Sequence, residues 1–347
     1  MTDTDRTTVD GLDMPALERF FGWHVPEFRG TLHAELLQGG RSNLTYLVTD
    51  GHTRWVVRRP PLGGLTPSAH DMRREYRVVA ALADSDVPVA RAVAFGDTGD
   101  GLGVPFSVVE HIDGQVIRTR EQLHALPDSE ITRCAHGLVD VLARLHAVDP
   151  GEVGLDGFGR PEGYLTRQVR RWYDQWHRVR TRKLLDMERL FDRLAAACPA
   201  ESGASIVHGD YRIDNAILDH ADPASVRAVV DWEMATLGDP LADLGLHLVY
   251  ADPAFSPVLS GSAASTSDRL PTRADLAQRY AQASGRDLGD LGFYLALGYF
   301  KIAVIAEGIH ARHQQGLTRG TGFDTVGRAV APLTAAGLRA LPHGELR

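Results

Sequence analysis

The sequence predicts an α+β fold in which a small antiparallel sheet precedes a larger, mainly helical region. Three strand-like runs occur early in the chain, at residues 32–37, 44–49 and 54–58. The second and third are joined by Asp50-Gly51, which is a strong hairpin signal. After residue 114 the apolar residues recur mostly at helical spacing, and no internal repeat is apparent.

The remaining elements follow from local signals. Asp13 followed by Pro15 indicates the start of a helix. Further helices are predicted at 71–83, 131–148, 165–193, 274–283 and 291–313, further strands at 89–95 and 106–110, and a surface loop at 260–272. We therefore expect an N-terminal helical extension (1–29), a sheet-rich lobe (30–113) and a helical lobe (114–347).

Composition restricts the function. The 347 residues carry a formal net charge of −8, which argues against a general nucleic-acid-binding protein. Cys134 and Cys198 form neither a disulfide framework nor a zinc site. The polar N-terminus contains no signal peptide, and 293–309 is better interpreted as a buried core helix than as a membrane span. We expect a cytoplasmic protein without nucleic-acid or membrane partners.

A polar motif, HGDYRIDN, occupies residues 208–215 between two apolar segments. Asp210 on such a loop can accept a proton from a substrate hydroxyl, and Asn215 can turn back toward the same point and bind Mg²⁺. This spacing is weak evidence by itself.

A second carboxylate strengthens the interpretation. Asp231 follows Val229-Val230, which predicts a strand that ends at the carboxylate. Mg²⁺ prefers oxygen ligands and keeps several waters, so Asp231 is a candidate second metal ligand. The alternative is that Asp231 caps the turn that follows.

The motif HGDYRIDN together with VVDWEMATLGDPLADLG resembles the aminoglycoside phosphotransferase/choline kinase family, which has a two-lobed protein-kinase-like fold. The resemblance covers roughly residues 30–315. GGRSNLTY and REYRVVAAL make it most similar to the branch also found fused to acyl-CoA dehydrogenases. The resemblance implies that Asp210 is the catalytic base, that Asn215 and Asp231 bind Mg²⁺, that Asp243 braces the catalytic loop, and that His208 has a structural role.

A kinase-like small lobe also needs a phosphate-covering loop, a basic strand residue and a helical glutamate. Four residues between two predicted strands are candidates for the loop, although a plain hairpin turn is as good an interpretation: Gly39, Gly40, Ser42 and Asn43. Strand alternation puts Val56 and Arg58 on the nucleotide side. Glu75 is the predicted partner of Arg58, which replaces the usual lysine. The alternative is an ordinary ion pair.

Three further residues complete the predicted nucleotide and catalytic sites. Glu110 and Ile112 mark the expected hinge, where backbone groups would bind adenine. We hypothesise that Arg212, two residues after Asp210, neutralises charge on the transferred γ-phosphoryl group. Its alternative is a solvent-facing loop arginine. The predicted cofactors are ATP and Mg²⁺, with GTP as an alternative nucleotide.

The acceptor is predicted from a basic stretch interleaved with Trp172, Tyr173 and Trp176. Its basic residues, opposed in sequence only by Asp174, are Arg167, Arg170, Arg171, Arg178, Arg180, Arg182 and Lys183. The simple interpretation is a solvated basic face. The sharper one is a site for an anionic acceptor rather than a polycationic aminoglycoside. The resemblance to the branch fused to acyl-CoA dehydrogenases implies that this acceptor is of the hydroxyacyl type.

The sequence therefore predicts a kinase acting on the hydroxyl of a small molecule. An antibiotic phosphotransferase, a nucleotide-binding pseudokinase and a metal-dependent hydrolase are the alternatives. A protein kinase is disfavoured because Asp231-Trp-Glu runs directly into Gly238-Asp-Pro without an activation segment.

Overall fold

The computed structural model describes residues 8–37, 43–62, 71–259, 263–318 and 322–341. They fall into two compact units. The first extends to Asp113 and also contains Ala228–Glu233, and the second contains Gly114–Arg227 and the residues from Met234 onward. The short segment 228–233, which includes Asp231, therefore belongs to the first unit, whereas the sequence analysis assigned it to the helical lobe.

The first unit is built on a five-stranded antiparallel sheet with strand order β3-β4-β5-β7-β6. Its elements are β1 (Thr8–Val9), β2 (Leu12–Asp13), α1 (Met14–His24), β3 (His33–Leu36), β4 (Leu44–Thr49), β5 (Arg54–Arg59), α2 (Met72–Ala81), β6 (Ala92–Gly96) and β7 (Phe106–Glu110). Each strand of the sheet overlaps a predicted one.

Helix α1 is part of the core of this unit. Asp13 caps it by accepting a hydrogen bond from the backbone N–H of Ala16 at 3.0 Å. Phe21 packs edge-on against Trp55 of the sheet, with ring centroids 5.2 Å apart, and Phe20 packs on Phe106 in the same way. The predicted N-terminal extension is thus integral to the first unit, because its apolar face is buried against the sheet.

Strand β5 alternates as predicted. Trp55, Val57 and Arg59 are buried on the side of α1, while Val56 and Arg58 face the opposite side and are half-buried. β5 lies between β4 and β7, and Arg58 is opposite Thr45 on one neighbour and Ser107 on the other. A central strand therefore fixes the position of Arg58.

The second unit is mainly helical. Its helices are α3 (Arg120–His124), α4 (Asp128–Ala147), α5 (Tyr164–Val179), α6 (Leu185–Ala196), α7 (Pro240–Val249), α8 (Arg273–Ser284), α9 (Leu291–Gln314) and α10 (Val330–Ala340). Short strands β8 (Ser205–Val207) and β11 (Thr236–Gly238) pair antiparallel. Strand β9 (Ala216–Leu218) follows the HGDYRIDN motif, and β10 (Val226–Val229) carries the chain into the first unit.

Two predictions about this unit were wrong. The predicted helix 165–193 is two helices, α5 and α6, separated at residues 180–184. The interruption contains no proline or glycine. Instead, the buried carboxylate of Glu307 accepts hydrogen bonds from the backbone N–H and hydroxyl of Thr181, both at 2.8 Å. Within the predicted surface loop, Ala263–Ser267 is buried, because Thr266 and Ser267 bond to side chains of the α3 helix.

Helix α9 is long and apolar enough to cross a membrane by length and composition alone. In the structure 67% of its most apolar stretch is buried, with Phe300 and Val304 fully enclosed. Its apolar character is therefore accounted for by the core of the second unit.

Candidate active site

The HGDYRIDN loop is held by Asp243 in the first turn of α7. The Asp243 carboxylate accepts the backbone N–H of His208 at 2.5 Å and that of Gly209 at 2.8 Å. Burial acts to raise the pKa of Asp243, but hydrogen bonding from His146 and from Gly209 and the nearby imidazoles lower it overall. Asp243 therefore fixes the backbone of the loop, which is the role that the resemblance implied for it. His208 is buried, and its backbone N–H is one of the two groups that Asp243 binds.

Gly209 is needed for the shape of this loop. Its φ of +82° is in the left-handed region, and a Cβ there would lie 2.8 Å from the carbonyl oxygen of Met234. Only glycine fits this position without displacing backbone, and Asp210 follows immediately.

Both carboxylate oxygens of Asp210 have partners. Oδ1 accepts a hydrogen bond from the hydroxyl of Tyr250, and Oδ2 lies 3.2 Å from Nδ2 of Asn215 and 3.4 Å from Nε of Arg212. Burial raises the pKa of Tyr250 well above its ordinary value, and the charge of Asp210 adds to this, so Tyr250 acts as a donor. Sequence reasoning missed Tyr250, which lies forty positions after Asp210 and belongs to no motif.

Arg212 lies beside the candidate base, as predicted, and is not a solvent-facing residue. Its Nη1 is 2.6 Å from Oδ2 of Asp214, its Nε is 3.4 Å from Asp210, and its guanidinium lies 5.7 Å from the Tyr250 ring centre. Burial acts to lower the pKa of Arg212, but the two carboxylates raise it overall. Two carboxylates thus already oppose its charge.

Asn215 uses its amide nitrogen to close the loop. Nδ2 donates to the backbone carbonyl of Asp210 at 2.8 Å. The amide oxygen is then the atom available to a cation, which is the ligand type that Mg²⁺ prefers.

The first unit holds the other predicted residues around Arg58. Nη1 of Arg58 lies 2.5 Å from Oε1 of Glu75, and Nη2 lies 3.0 Å from Oδ1 of Asp231. Burial acts to lower the pKa of Arg58, but both carboxylates raise it overall, while burial raises the pKa of Glu75. The predicted Arg58–Glu75 pair is present, and Asp231 is an additional partner.

Asp231 has a strained backbone. Its φ of +67° makes it the only non-glycine residue in the described ranges with a left-handed conformation. Such strain costs about 1–3 kcal/mol and is common at functional sites. Its side chain is 29% exposed, so its carboxylate can reach both Arg58 and a further cation.

The structure describes four of the other predicted nucleotide residues. Nδ2 of Asn43 donates to Glu233 at 3.2 Å, and Val56 pairs in register with Val109. The Glu110 N–H donates to the carbonyl of Arg91 at 2.9 Å, while Ile112 is half-buried. The backbone N–H of Glu110 is therefore already used. The remaining loop candidates, Gly39, Gly40 and Ser42, lie outside the described residues.

Asp231 and Asn215 carry the oxygen donors that the sequence assigned to a metal. Across the described ranges, no three His, Cys, Asp or Glu residues are grouped so that they could hold a metal ion. Asp231 of the first unit offers a carboxylate, and Asn215 of the second unit offers an amide oxygen. Both are ligand types that Mg²⁺ prefers.

The basic stretch is less free than the sequence indicated. Arg182 is paired with the buried Glu307 at 2.7 Å, Arg180 lies 3.7 Å from Glu188, and Arg167 donates to backbone carbonyls. Glu188 and Glu307 therefore offset part of the positive charge of the basic stretch, in addition to Asp174. Within the part of the chain that is described, Arg171 has no hydrogen bond or ion pair, and its guanidinium lies 5.8 Å from the Trp172 ring centre.

Lys301 of α9 is a second residue that sequence reasoning missed. Its Nζ donates to the carbonyl of Gly209 at 2.6 Å, immediately before Asp210. The one local signal in the sequence is that this lysine falls within the apolar stretch 293–309, which was predicted to be a buried core helix.

Comparison with known proteins agrees with this geometry. A family model described as "Phosphotransferase enzyme family" matches residues 33–294. Acyl-CoA dehydrogenase family member 11 of Rattus norvegicus is 32% identical over 351 residues, which is 97% of this chain and 45% of that protein. The chain thus spans less than half the length of this curated relative.

Similar solved structures identify the fold of this chain. A putative aminoglycoside phosphotransferase from Ralstonia eutropha is 32% identical, with a TM-score of 0.81 over 94% of this chain and 98% of that one. A thermostable mutant of aminoglycoside phosphotransferase APH(4)-Ia, in complex with AMP-PNP and hygromycin B, is 17% identical, with a TM-score of 0.62 over 95% and 99%. The chain has the kinase-like α+β fold of these enzymes.

Proposed function

The chain belongs to the phosphotransferase enzyme family, and from that premise we propose that it is an ATP- and Mg²⁺-dependent kinase of a hydroxylated, anionic small molecule. The observation that carries the proposal is the arrangement of Asp210, whose loop is held by Asp243 and whose carboxylate is oriented by Tyr250 and Asn215. Such a fixed carboxylate is suited to accept the proton of an acceptor hydroxyl as the oxygen attacks phosphorus.

Asp231 and Asn215 are the residues that would hold Mg²⁺ in this proposal. The ion would neutralise charge on the nucleotide phosphates. Asn215 contributes the amide oxygen left after its nitrogen is bonded to the loop. Asp231 contributes a carboxylate whose orientation is set by Arg58.

Arg58 takes the place of the usual lysine. In the proposed enzyme its guanidinium binds nucleotide phosphate oxygens while Glu75 keeps it in position. A guanidinium has five donors, so pairing with Glu75 and Asp231 does not exhaust it. Arg212 would face the transferred group from the catalytic loop, but its two carboxylate partners weaken that role.

The anionic acceptor is supported by two observations. The similar curated protein is named as an acyl-CoA dehydrogenase family member, and acyl-CoA thioesters carry several phosphates. At the catalytic loop, Lys301 adds a cation that contacts the carbonyl of Gly209, next to Asp210. An acceptor of the hydroxyacyl type therefore suits this chain better than a polycationic aminoglycoside, and we place its action in the cytoplasm.

The test is transfer from [γ-³²P]ATP with Mg²⁺ to a panel of hydroxy acids, hydroxyacyl-CoA thioesters and kanamycin. We expect hydroxylated anions to be phosphorylated, and Asp210→Asn to lower turnover by about 10²–10⁴-fold. Asp219→Asn, which removes a carboxylate paired with Arg227 beyond the loop, is the matched control. Full activity of Asp210→Asn refutes the assignment of the base.

The same panel separates the alternatives. Strong turnover of kanamycin alone indicates an antibiotic phosphotransferase. Nucleotide binding, measured by thermal shift, without transfer to any acceptor indicates a pseudokinase.

A further inference from the structure

Lys301 is a half-buried cation that contacts the catalytic loop. Its Nζ has three N–H donors, and one of them bonds to the Gly209 carbonyl at 2.6 Å. The same nitrogen lies 5.6 Å from the centre of the Trp172 ring. No carboxylate forms an ion pair with it among the described residues, so donors and charge remain for a ligand.

The surroundings place this ammonium close to the base. Burial lowers the pKa of Lys301, whereas the carboxylates of Asp210 and Asp243 act to raise it. Lys301 thus lies within electrostatic reach of Asp210 without forming an ion pair with it. The geometric link to the loop is the hydrogen bond of Nζ to the carbonyl of Gly209, the residue before Asp210.

Arg171 provides a second positive charge on the same ring. Its guanidinium lies 5.8 Å from the Trp172 ring centre, and its side chain is exposed. Its charge acts to lower the pKa of Lys301, so the two cations repel each other. An anion that contacts both would remove this repulsion.

The other arginines near the predicted site are already neutralised. Arg58 is paired with Glu75 and Asp231, and Arg212 with Asp210 and Asp214. Lys301 and Arg171 differ from both because their contacts are a carbonyl oxygen and an aromatic ring, which leave a full positive charge.

We propose that Lys301 and Arg171, which lie 5.6 and 5.8 Å from the centre of the Trp172 ring, bind an anionic group of the acceptor and thereby set its specificity. The inference rests on the proposed kinase function and adds the residues that select the substrate. Lys301 holds the anion next to the catalytic loop, and Arg171 holds its solvent-exposed side. Trp172 keeps both cations in place through its ring face.

The anion is a carboxylate or a phosphate, and the two have different sources in a hydroxylated acceptor. A free hydroxy acid supplies a carboxylate, whereas a coenzyme A thioester supplies phosphates. A pantetheine thioester of the same acid has neither group. The three forms therefore separate the sources without changing the reacting hydroxyl.

The experiment measures kcat and KM for 3-hydroxybutanoate, 3-hydroxybutanoyl-CoA, 3-hydroxybutanoyl-pantetheine and 1,3-butanediol with wild-type protein, Lys301→Met, Lys301→Arg and Arg171→Gln. Arg178→Gln removes the same charge from an exposed position two turns further along α5 and is the control. For every variant, ATP binding in the presence of Mg²⁺ is measured by thermal shift.

We expect Lys301→Met and Arg171→Gln to lower kcat/KM for the preferred anionic form by about 10–100-fold, mainly through KM, as befits a lost charge-assisted hydrogen bond. ATP binding should change little, and Arg171→Gln should use the neutral forms as the wild type does. Lys301→Met also removes the bond to the Gly209 carbonyl, so it should lower turnover of every form but that of the anionic form most, and Lys301→Arg should retain the preference. Arg171 is exposed, so its variant tests the idea even if Lys301→Met does not fold.

Two outcomes overturn the inference while leaving the kinase assignment intact. One is equal use of the anionic and neutral forms by the wild-type protein. The other is an equal loss in Arg178→Gln, which would attribute the preference to the general charge of α5. Absence of transfer to every acceptor would instead reject the proposed function itself.

Discussion

The guanidinium of Arg58 lies 3.0 Å from the carboxylate of Asp231, although 173 residues separate them in the chain. The same guanidinium contacts Glu75 at 2.5 Å, so one arginine joins a strand, a helix and the segment that follows β10. The three side chains form one ionic unit, and its contribution to stability can be measured.

Arg58→Met should lower the free energy of unfolding by about 3–5 kcal/mol, because it leaves Glu75 buried without its cation. Arg54→Met is the matched control in the same strand. Its ion pair with Asp113 is 3.9 Å long and more than half exposed, so its loss should cost about 0–1 kcal/mol. Denaturant titration of both variants checks this, and similar stabilities would show that the Arg58 contacts contribute little.

Tyr250→Phe should lower kcat by about 10-fold while leaving KM for ATP nearly unchanged. The substitution removes the hydroxyl that orients Oδ1 of Asp210 and keeps the ring. Tyr294→Phe is a chemically matched control, since the Tyr294 hydroxyl donates to Asp239 at 3.0 Å away from the loop. It should lower stability by about 1 kcal/mol and leave kcat unchanged. Steady-state kinetics and thermal melts of both variants test this prediction. Equal effects on kcat would contradict the role given to Tyr250.

Gly209→Ala should be more harmful than Gly285→Ala. Both glycines have positive φ, at +82° and +68°, so alanine is strained by about 1–2 kcal/mol at each. At Gly285 a Cβ meets nothing within 4 Å, whereas at Gly209 it would lie 2.8 Å from the Met234 carbonyl oxygen. The free energy of unfolding should therefore be lower for Gly209→Ala than for Gly285→Ala by more than about 1 kcal/mol. If Gly209→Ala retains wild-type turnover, the loop conformation is not essential.

The two buried histidines should destabilise the protein as the solution is acidified. His146 and His247 have pKa values lowered mainly by burial, so below about pH 6.5 the unfolded chain binds protons that the native histidines do not. This loss stops once the pH is below the native pKa values. Asp243, whose pKa is also lowered, adds a further loss below about pH 3.9. Glu75, whose pKa burial raises, acts in the opposite direction, because its native carboxyl takes up a proton at a higher pH than the unfolded one. Unfolding free energies of the wild type and His146→Gln, measured between pH 8 and 5, isolate the histidine contribution. The variant should lose less stability on acidification than the wild type, and an equal loss would contradict the prediction.

The sequence predicted those features that depend on local patterns. Alternation along β5 predicted that Val56 and Arg58 share one face of the strand, as they do. The kinase-like pattern indicated Glu75 as the partner that Arg58 contacts. The brace by Asp243 and the structural position of His208 followed from resemblance, and the contacts to the loop agree with them.

The remaining features depend on tertiary contacts that leave no local pattern. Tyr250, which follows α7, contacts Asp210 from forty positions along the chain. Lys301, in α9, contacts Gly209 from ninety-two positions along the chain. The break between α5 and α6 is stabilised by Glu307, 126 residues after Thr181. A window of ten or twenty residues contains none of these partners, so periodicity predicted one long helix and overlooked both side chains.

The return of residues 228–233 to the first unit has a consequence for how the protein is made. A ribosome that has synthesised the chain through Asp113 has not yet supplied Asp231, one of the two carboxylates that Arg58 contacts. At typical translation rates the missing segment emerges on the order of ten seconds later. During that interval the nascent sheet has an arginine with only Glu75 as its carboxylate partner. A fragment ending at residue 113 would have the same deficiency permanently, so the sheet-rich unit cannot be obtained intact by truncation.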